Sequence, residues 1–185
     1  AIIIATSEKP TGQIPFVDTN CRQIGIMAAE YLLEKGFVNI GFCGFDYLHW
    51  SKERVQAFVE RLRRQERKVH LYEQKDASEN HSVEREIPDL LEWLKSLPKP
   101  VGVFACNDDR GRQLIECCKI LGIKVPDEIS LIGVDNDHLI CNLCNPPLTS
   151  IALDNKRAGF NAAFLLDKII GGQETEDTAI IIEPT

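Results

Sequence analysis

The sequence lacks the features of several protein classes. No apolar run approaches the roughly 20 residues that a membrane span needs. Positive charge is in deficit, because 21 Lys and Arg stand against 28 Asp and Glu and give a net charge of −7. Surplus positive charge is what binds a phosphate backbone or an acidic membrane surface. We therefore expect no membrane partner, and no nucleic acid bound by this chain itself.

Motifs for phosphate binding and nucleophilic catalysis are also missing. No Gly-x-Gly-x-x-Gly follows a strand, and no Gly-x-x-x-x-Gly-Lys-Ser/Thr occurs. A Gly-x-Ser-x-Gly elbow is likewise missing. The opening residues 1–4 are apolar without a basic flank, so no signal peptide is expected. The sequence predicts no cofactor and no catalytic residue.

Cysteine is present in an odd number, which disfavours a disulfide framework. The seven cysteines are scattered through apolar runs, a pattern that favours buried, reduced thiols in the cytoplasm. Cys141 and Cys144 form a Cys-x-x-Cys with His138 nearby. A tetrahedral zinc site needs a fourth ligand, so no metal is expected there.

The 185 residues, 44% of them hydrophobic, can form a sizeable core. Short apolar segments alternate with amphipathic ones. The strands are predicted at residues 2–6, 39–44, 69–73, 101–106, 129–134, 148–153 and 179–183. The helices are predicted at 24–35, 51–68, 87–97, 110–121 and 156–170. Continuous apolar strands separated by helices indicate a Rossmann-like α/β fold, with a parallel sheet covered by helices on both faces.

A binding site is expected where the strands end, because ligands of open parallel sheets bind beyond the carboxyl ends of the strands. Polar residues follow three strong strands: Asp46, Tyr47, Trp50 and Arg54 after the first, Asn107, Asp108 and Asp109 after the second, and Asp135, Asn136 and Asp137 after the third. Carboxylates accept hydrogen bonds from hydroxyl groups, Arg donates to them, and an aromatic face packs against C–H groups. This set predicts a site for a neutral, polyhydroxylated ligand. Alternatively, Asp and Asn at these places are helix caps and turn formers.

Several stretches resemble the sensor domains of LacI/GalR-type regulators. They include residues 18–36, the Phe-Ala-Cys-Asn-Asp of 104–108, and the Val-Pro-Asp-Glu-Ile-Ser-Leu-Ile-Gly-Val-Asp-Asn of 125–136. The Pro-Pro-Leu-Thr-Ser-Ile of 146–151 completes the series in the family's order. The resemblance implies the second lobe of a two-lobed, periplasmic-binding-protein-like type I sensor domain. It also implies that the effector lies in the cleft between the lobes.

The resemblance also assigns roles to single residues. Arg54 matches the family's effector-contacting Arg, Asn107 and Asp108 its Asn-Asp pair, and Asp135 its hydroxyl-binding Asp. Phe16 and Asp18 would lie at the first lobe crossover, and Leu153 and Asn155 at the second. The expected ligand-binding set is Arg54, Asn107, Asp108, Asp135, Trp50, Phe16, Asp46 and Asn136.

Residues 50–54 with Phe58, and residues 109–117, resemble a narrower group of pentose-responsive regulators with an AraC-type DNA-binding domain after the sensor. The implied function is binding of a sugar, D-xylose or a similar pentose, without catalysis. Effector would close the cleft and reorient DNA-binding domains outside this chain. Two alternatives are a Mg²⁺-dependent Rossmannoid hydrolase using Asp108, Asp109 and Asp135, and a transporter-type sugar-binding protein.

The resemblance divides the chain into four parts. Residues 1–20 would end the first lobe, 21–150 would form the second lobe, 151–172 would cross back into the first lobe, and 173–185 would return to the second. The apolar face of the 156–170 helix, with Phe160, Ala163, Phe164 and Leu166, would then lack its first-lobe partner. We expect it to pack against a second copy in a homodimer or to be loosely held.

Overall fold

The computed structural model describes residues 3–4, 14–75, 83–172 and 179–185. The strands are β1 (Ile3–Ile4), β2 (Phe16–Thr19), β3 (Asn39–Phe45), β4 (Val69–Gln74), β5 (Val101–Ala105), β6 (Ile129–Asp135), β7 (Thr149–Ala152) and β8 (Ala179–Ile182). The helices are α1 (Cys21–Glu34), α2 (His49–Arg63), α3 (Val83–Ser96), α4 (Asp108–Leu121), α5 (His138–Leu143) and α6 (Asn155–Ile170). This alternation confirms the predicted α/β fold class.

The larger of two parallel sheets has five strands in the order β4-β3-β5-β6-β7. Helices α1 and α2 cover one face, where Phe42 and Phe104 pack with Ile24 and Phe58. Helices α3 and α4 cover the other face. Every residue of the central strand β5 is buried, which explains why its sequence is continuously apolar.

The smaller sheet has three strands in the order β1-β2-β8 and is covered by α6. Here the structure differs from the expectation that the last strand returns to the second lobe. Strand β8 instead pairs in parallel with β2, because Ile182 buries its side chain with Val17 of β2 and Ala162 of α6. After β8 the chain contacts the end of the larger sheet, where the Thr185 N–H donates to the Ala152 carbonyl over 3.0 Å.

Other differences from the expected elements are local. Strand β2 and helix α5 were not predicted. Helix α2 ends at Arg63 rather than at residue 68, since Glu66 has a φ of 56° and turns the chain toward β4. The predicted strand at residues 2–6 is described only at Ile3–Ile4, and its other residues lie outside the described part of the chain.

The parallel arrangement brings the ends of β3, β5 and β6 to one edge of the larger sheet. Cys43 of β3 is in register with Ala105 of β5, and Phe104 of β5 with Ile132 of β6. We call this the carboxyl edge and define it by the residues that follow these strands: Asp46, Cys106, Asn107 and Asn136, with Asp135 at the end of β6. The predicted convergence of three strand ends is therefore a property of the fold.

Candidate functional site

Arg54 reaches the carboxyl edge from helix α2. Its side chain is 5% exposed, and its guanidinium donates a hydrogen bond to the carbonyl of Cys106, directly after β5. The same guanidinium lies over the Trp50 ring, 4.8 Å from the ring centroid. Within the described residues its Nε has no hydrogen-bond partner. Arg54 is thus held in place by β5 and by Trp50, with donor capacity left over.

The start of α2 is fastened to the end of β3. The Ser51 hydroxyl accepts a hydrogen bond from the Phe45 N–H over 3.0 Å, and the Phe45 and Trp50 rings meet edge to face with centroids 6.0 Å apart. Edge-to-face contact is a favourable geometry for aromatic pairs. The segment 45–54 is therefore a fixed wall that carries both Trp50 and Arg54.

Asn107 follows the Cys106 carbonyl that binds Arg54. Its side-chain oxygen accepts a hydrogen bond from the Arg110 N–H over 2.9 Å and so caps α4. The helix-cap interpretation of this residue is correct, because Asn is a favoured N-cap. An amide whose oxygen is engaged still has two N–H donors, and Asn107 is only partly buried.

Asp135 ends strand β6 in an uncommon backbone conformation, with a φ of 109°. Burial raises the pKa of its carboxyl to about 6, and the neighbouring charges of Asp108, Asp109 and Asp137 act in the same direction. The Arg54 guanidinium opposes them and lowers this pKa. The charges of Arg54 and Asp135 therefore act on each other across the carboxyl edge.

Asp108 is engaged inside the protein and is not open toward the carboxyl edge. It is 1% exposed, and both carboxylate oxygens accept hydrogen bonds: Oδ1 from the Ser150 hydroxyl at 2.6 Å, Oδ2 from the Asp137 N–H at 2.8 Å and from the Cys141 thiol at 3.3 Å. Burial nevertheless raises the pKa of Asp108. Protein groups therefore occupy this carboxylate in the structure, and ligand contact by Asp108 stays a prediction. Asp109 points outward and pairs with Arg112 at 3.5 Å.

Asp46 and Asn136 lie at the two flanks of the carboxyl edge. The Asp46 N–H donates to the Gln74 carbonyl over 3.0 Å, and its charge, after burial, raises the pKa of Glu73. The Asn136 N–H donates to the Ser150 hydroxyl over 3.0 Å. Both residues are partly buried. Glu73 was missed by the sequence analysis because it lies on a weak, partly exposed strand.

Phe16 lies on β2 of the smaller sheet, in register with Ile3 and Ala179. Among the described residues, no hydrogen bond or ring contact joins it to Arg54, Asn107 or Asp135. Burial raises the pKa of the Cys21 thiol, while the Arg54 charge lowers it and the charge of Asp18 on β2 raises it.

Arg110 is a buried charge that sequence reasoning missed. It is fully buried on α4 and donates to Glu86 Oε1 over 2.9 Å and to Gln74 Oε1 over 2.8 Å. It also lies over the Phe45 ring, 4.3 Å from the centroid. A signal was available, because Arg110 shares the buried face of α4 with Leu114 and Cys117 at helical spacing. Through Gln74 and Phe45, this residue supports the wall that carries Trp50.

The described part of the chain contains no group of three or more His, Cys, Asp or Glu that could hold a metal ion. All seven cysteines are buried and free of disulfides. A cavity of about 390 Å³ lies elsewhere, at the amino ends of the strands, between Phe37, Pro126 and Pro147. No helix in the described ranges has the length and apolarity to cross a membrane.

Arg54, Asn107 and Asp135 are the groups that the fold gathers at one edge. They combine fixed N–H donors with a carboxylate acceptor, and Trp50 adds an apolar face. Such a mixture fits the hydroxyl groups and C–H faces of a small neutral molecule.

Comparison with known proteins gives consistent results. The sequence model of the periplasmic binding protein-like domain matches residues 29–185. The chain is similar to the xylose operon regulatory protein of Haemophilus influenzae, with 35% identity over 173 residues that cover 92% of this chain and 44% of that protein. It is also similar to the HTH-type transcriptional repressor CytR of Escherichia coli K12, with 30% identity over 173 residues, 93% of this chain and 50% of that protein.

Among solved structures, one described as the xylose-binding transcription activator xylR superimposes with a TM-score of 0.85 and 26% identity. The superposition covers 100% of this chain and 50% of that one. The chain spans about half or less of the length of these curated relatives, with shares of 44% and 50%.

Proposed function

Because the chain belongs to the family of periplasmic-binding-protein-like domains, we propose that it is the sugar-binding sensor part of a transcription regulator of the LacI/GalR type. The sequence resemblance to this family is confirmed by the match over residues 29–185. The curated relatives are named as regulators, not as enzymes. The proposed function is accordingly binding, without a chemical step.

The observation that carries this proposal is the convergence of Arg54, Asn107 and Asp135 at the carboxyl edge. In the proposed complex, Asp135 accepts hydrogen bonds from two sugar hydroxyls, while Arg54 and the Asn107 amide donate to sugar oxygens. Trp50 packs against a C–H face of the ring. Asp46 and Asn136 flank the ligand, and Phe16 approaches it from the crossover.

The finer part of the proposal is the ligand, D-xylose or a similar pentose. Two relatives are named for xylose, and those names describe those proteins. For this chain, the support is the set of donors and acceptors formed by Arg54, Asn107 and Asp135. Its single cation is accompanied by a carboxylate, so the set suits an uncharged polyol better than a phosphate.

We further propose that ligand closes a cleft between two lobes. In this proposal, residues 21–150 with the larger sheet form the second lobe, and β1, β2, α6 and β8 belong to the first. Strand β8 is thus placed in the first lobe and not, as expected from the sequence, in the second. A ligand that contacts both lobes favours the closed state by its differential affinity. Closure would reorient DNA-binding domains outside this chain, in a cytoplasmic homodimer.

Calorimetric titration tests the proposed function. D-xylose and D-ribose are titrated into the protein in metal-free buffer, and saturable binding of a pentose is expected. Asp135→Ala should weaken that binding by about 1–3 kcal/mol, since it removes a partner of buried hydroxyls. Asp109→Ala is the matched control, because it removes an exposed carboxylate on the adjacent helix, and its affinity should equal that of the wild type.

The hydrolase alternative makes a different demand. It needs Asp108, Asp109 and Asp135 around one Mg²⁺ ion, whereas Asp108 is occupied by Ser150 and Asp137 and Asp109 faces solvent. Mg²⁺-dependent turnover of p-nitrophenyl phosphate, abolished by Asp135→Ala, would overturn the sensor proposal. No specific observation favours a transporter role.

A further inference from the structure

Asp108 belongs to a connected set of hydrogen bonds around the turn that follows Asp135. The Asn136 N–H donates to Ser150 Oγ over 3.0 Å, and the Ser150 hydroxyl donates to Asp108 Oδ1 over 2.6 Å. The Asp137 N–H donates to Asp108 Oδ2 over 2.8 Å. The N–H groups of the two residues directly after Asp135 are thus both linked to the Asp108 carboxylate. The Asp137 N–H binds it directly, and the Asn136 N–H is linked to it through the Ser150 hydroxyl.

These bonds surround a backbone conformation that residues with a side chain disfavour. The φ angles are 109° at Asp135 and 49° at Asn136, both in the left-handed region. Such conformations persist only where the surrounding structure holds them, and they are concentrated at functional sites. The turn needs an external support, and the Asp108–Ser150 pair contacts the turn at the two adjacent N–H groups.

The glycine at position 133 leaves space for the Asp108 carboxylate. A Cβ at this position of β6 would collide with Asp108 Oδ1. The missing side chain therefore lets the carboxylate approach the strand that carries Asp135. Asp108 connects the first turn of α4 to β6, β7 and the turn before α5.

We propose that Asp108 is a positioning residue for Asp135. Its carboxylate, through Ser150 and the Asp137 N–H, fixes the left-handed turn and so directs the Asp135 carboxylate toward the carboxyl edge beside Arg54. The inference rests on the proposed function where it takes Asp135 as the hydroxyl acceptor. The support of the turn itself does not depend on any ligand.

A double-mutant cycle tests whether the pair acts through Asp135. Ser150→Ala removes the hydroxyl that links the Asn136 N–H to Asp108, without changing the charge. We expect it to weaken D-xylose binding by about tenfold, a loss typical of one hydrogen-bonded contact. Ser150→Thr keeps the hydroxyl and should retain wild-type affinity. In the Asp135→Ala background, Ser150→Ala should have no further effect, because effects that act through one group are non-additive.

Asp108→Asn provides the second variant. The amide keeps the size of the side chain but offers one acceptor oxygen in place of two, so binding should weaken at least as much as in Ser150→Ala. Ile115→Val trims a buried side chain on the same helix and controls for lost stability. Equal losses of affinity in Ile115→Val and Ser150→Ala, or an unchanged cost of Ser150→Ala in the Asp135→Ala background, would contradict the proposal.

A measurement without ligand separates this inference from the proposed function. NMR couplings between the N–H and Hα protons, with backbone chemical shifts, report the φ of Asp135 and Asn136. We expect Ser150→Ala and Asp108→Asn to lose the left-handed values that the wild type and Ser150→Thr show. If the wild type binds no pentose, the proposed function fails and this measurement alone decides the positioning role. Unchanged φ values in both variants would overturn it.

Discussion

Asp135 lies partly buried at the carboxyl edge, and burial raises its pKa to about 6. In an unfolded chain the pKa of an Asp is about 3.9. The folded state therefore binds the proton more tightly, so the free energy of unfolding falls as pH rises from about 4 to 6. At neutral pH the fold keeps this carboxylate ionised at a cost in stability.

Replacing Asp135 by Asn should remove that cost. At pH 7 we expect the free energy of unfolding of Asp135→Asn to exceed that of the wild type by about 1–3 kcal/mol, from a difference of roughly two pKa units. At pH 4 the two proteins should be nearly equal, because Asp135 is then largely protonated. Urea denaturation at both pH values measures the difference. A gain that is the same at pH 4 and pH 7 would show that ionisation is not its cause.

The sequence predicted which residue types meet at the carboxyl edge, but not the direction of each side chain. Arg54, Asn107 and Asp135 could be found because strand ends in a parallel sheet converge. Asp108 could not be separated from Asp135 in this way, since each is an acidic residue near the end of a strand. Asp108 begins a helix, and its side chain turns toward Gly133 and Ser150, a contact across 42 residues of sequence.

At the scale of elements, the contact between α1 and α2 positions Arg54. The two helices meet closely at Gly25, where an added Cβ would collide with the Arg54 carbonyl and lie 3.0 Å from the Phe58 nitrogen. Both neighbours are backbone atoms, so they cannot move aside by a change of rotamer. The separation of α1 and α2 therefore depends on the absence of a side chain at Gly25.

Gly25→Ala should force α2 away from α1. We expect the free energy of unfolding to fall by about 1–3 kcal/mol, as in other overpacked cores, and sugar binding to weaken because Arg54 shifts with α2. Gly159→Ala is the matched control, since this helical glycine has open space around it. That variant should gain about 0.5–1 kcal/mol from its helix propensity. Thermal unfolding of the two variants checks both signs, and a stabilised Gly25→Ala would refute the close contact.

A second contact between elements is the buried pair of Arg110 on α4 and Glu86 on α3. The two side chains are 0% and 7% exposed and 2.9 Å apart. Removing one partner of such a pair leaves an uncompensated charge, at a cost of about 3–5 kcal/mol.

Glu86→Ala should therefore lower the free energy of unfolding by about 3–5 kcal/mol. The double variant Glu86→Ala with Arg110→Met removes both charges and should recover much of the loss. Chemical denaturation of the single and double variants measures this coupling. A double variant that is less stable than Glu86→Ala would mean that Arg110 is stabilised by Gln74 and Phe45 without need of Glu86.

The longer elements were predictable from the sequence, and so were the short strands β7 and β8, whereas β2 and α5 were not. The predicted bounds of strand β5 and helix α4 lie within a few residues of the observed ones. Strand β5 is continuously apolar because both its faces are buried, and α4 is apolar along the one face that it buries. Strand β2 has four residues and helix α5 has six. Both depend on contacts outside their own sequence, because β2 pairs with β8 and Asp137 caps α5.

At the scale of the whole molecule, the two sheets differ in how well they are covered. The larger sheet is enclosed by four helices, whereas α6 covers the smaller sheet with Ala162 and Leu165 and leaves several large apolar side chains exposed. Phe160 and Phe164 are 69% and 51% exposed, and their rings stack with centroids 6.3 Å apart. An apolar face of this kind marks an interaction surface.

We expect this face of α6 to join a second copy in the proposed homodimer. Phe160→Ser with Phe164→Ser should raise the dimer dissociation constant by at least about tenfold. Leu71→Ser is the control, because it removes an exposed apolar side chain on the far edge strand β4. Sedimentation velocity over a range of concentrations measures the association. A wild-type protein that stays monomeric throughout would contradict the expected dimer.

The central claim is that one small neutral ligand contacts Arg54 of α2, Asn107 after β5 and Asp135 at the end of β6 at the same time. An NMR titration with D-xylose tests it by following the Arg54 Nε–H, the Asn107 side-chain amide and the Asp135 carboxyl in one experiment. We expect the three signals to shift with a single dissociation constant, while signals of Phe37 and Pro126 at the opposite end of the sheet stay unchanged. Shifts confined to that opposite end, or three unrelated dissociation constants at the carboxyl edge, would contradict the claim.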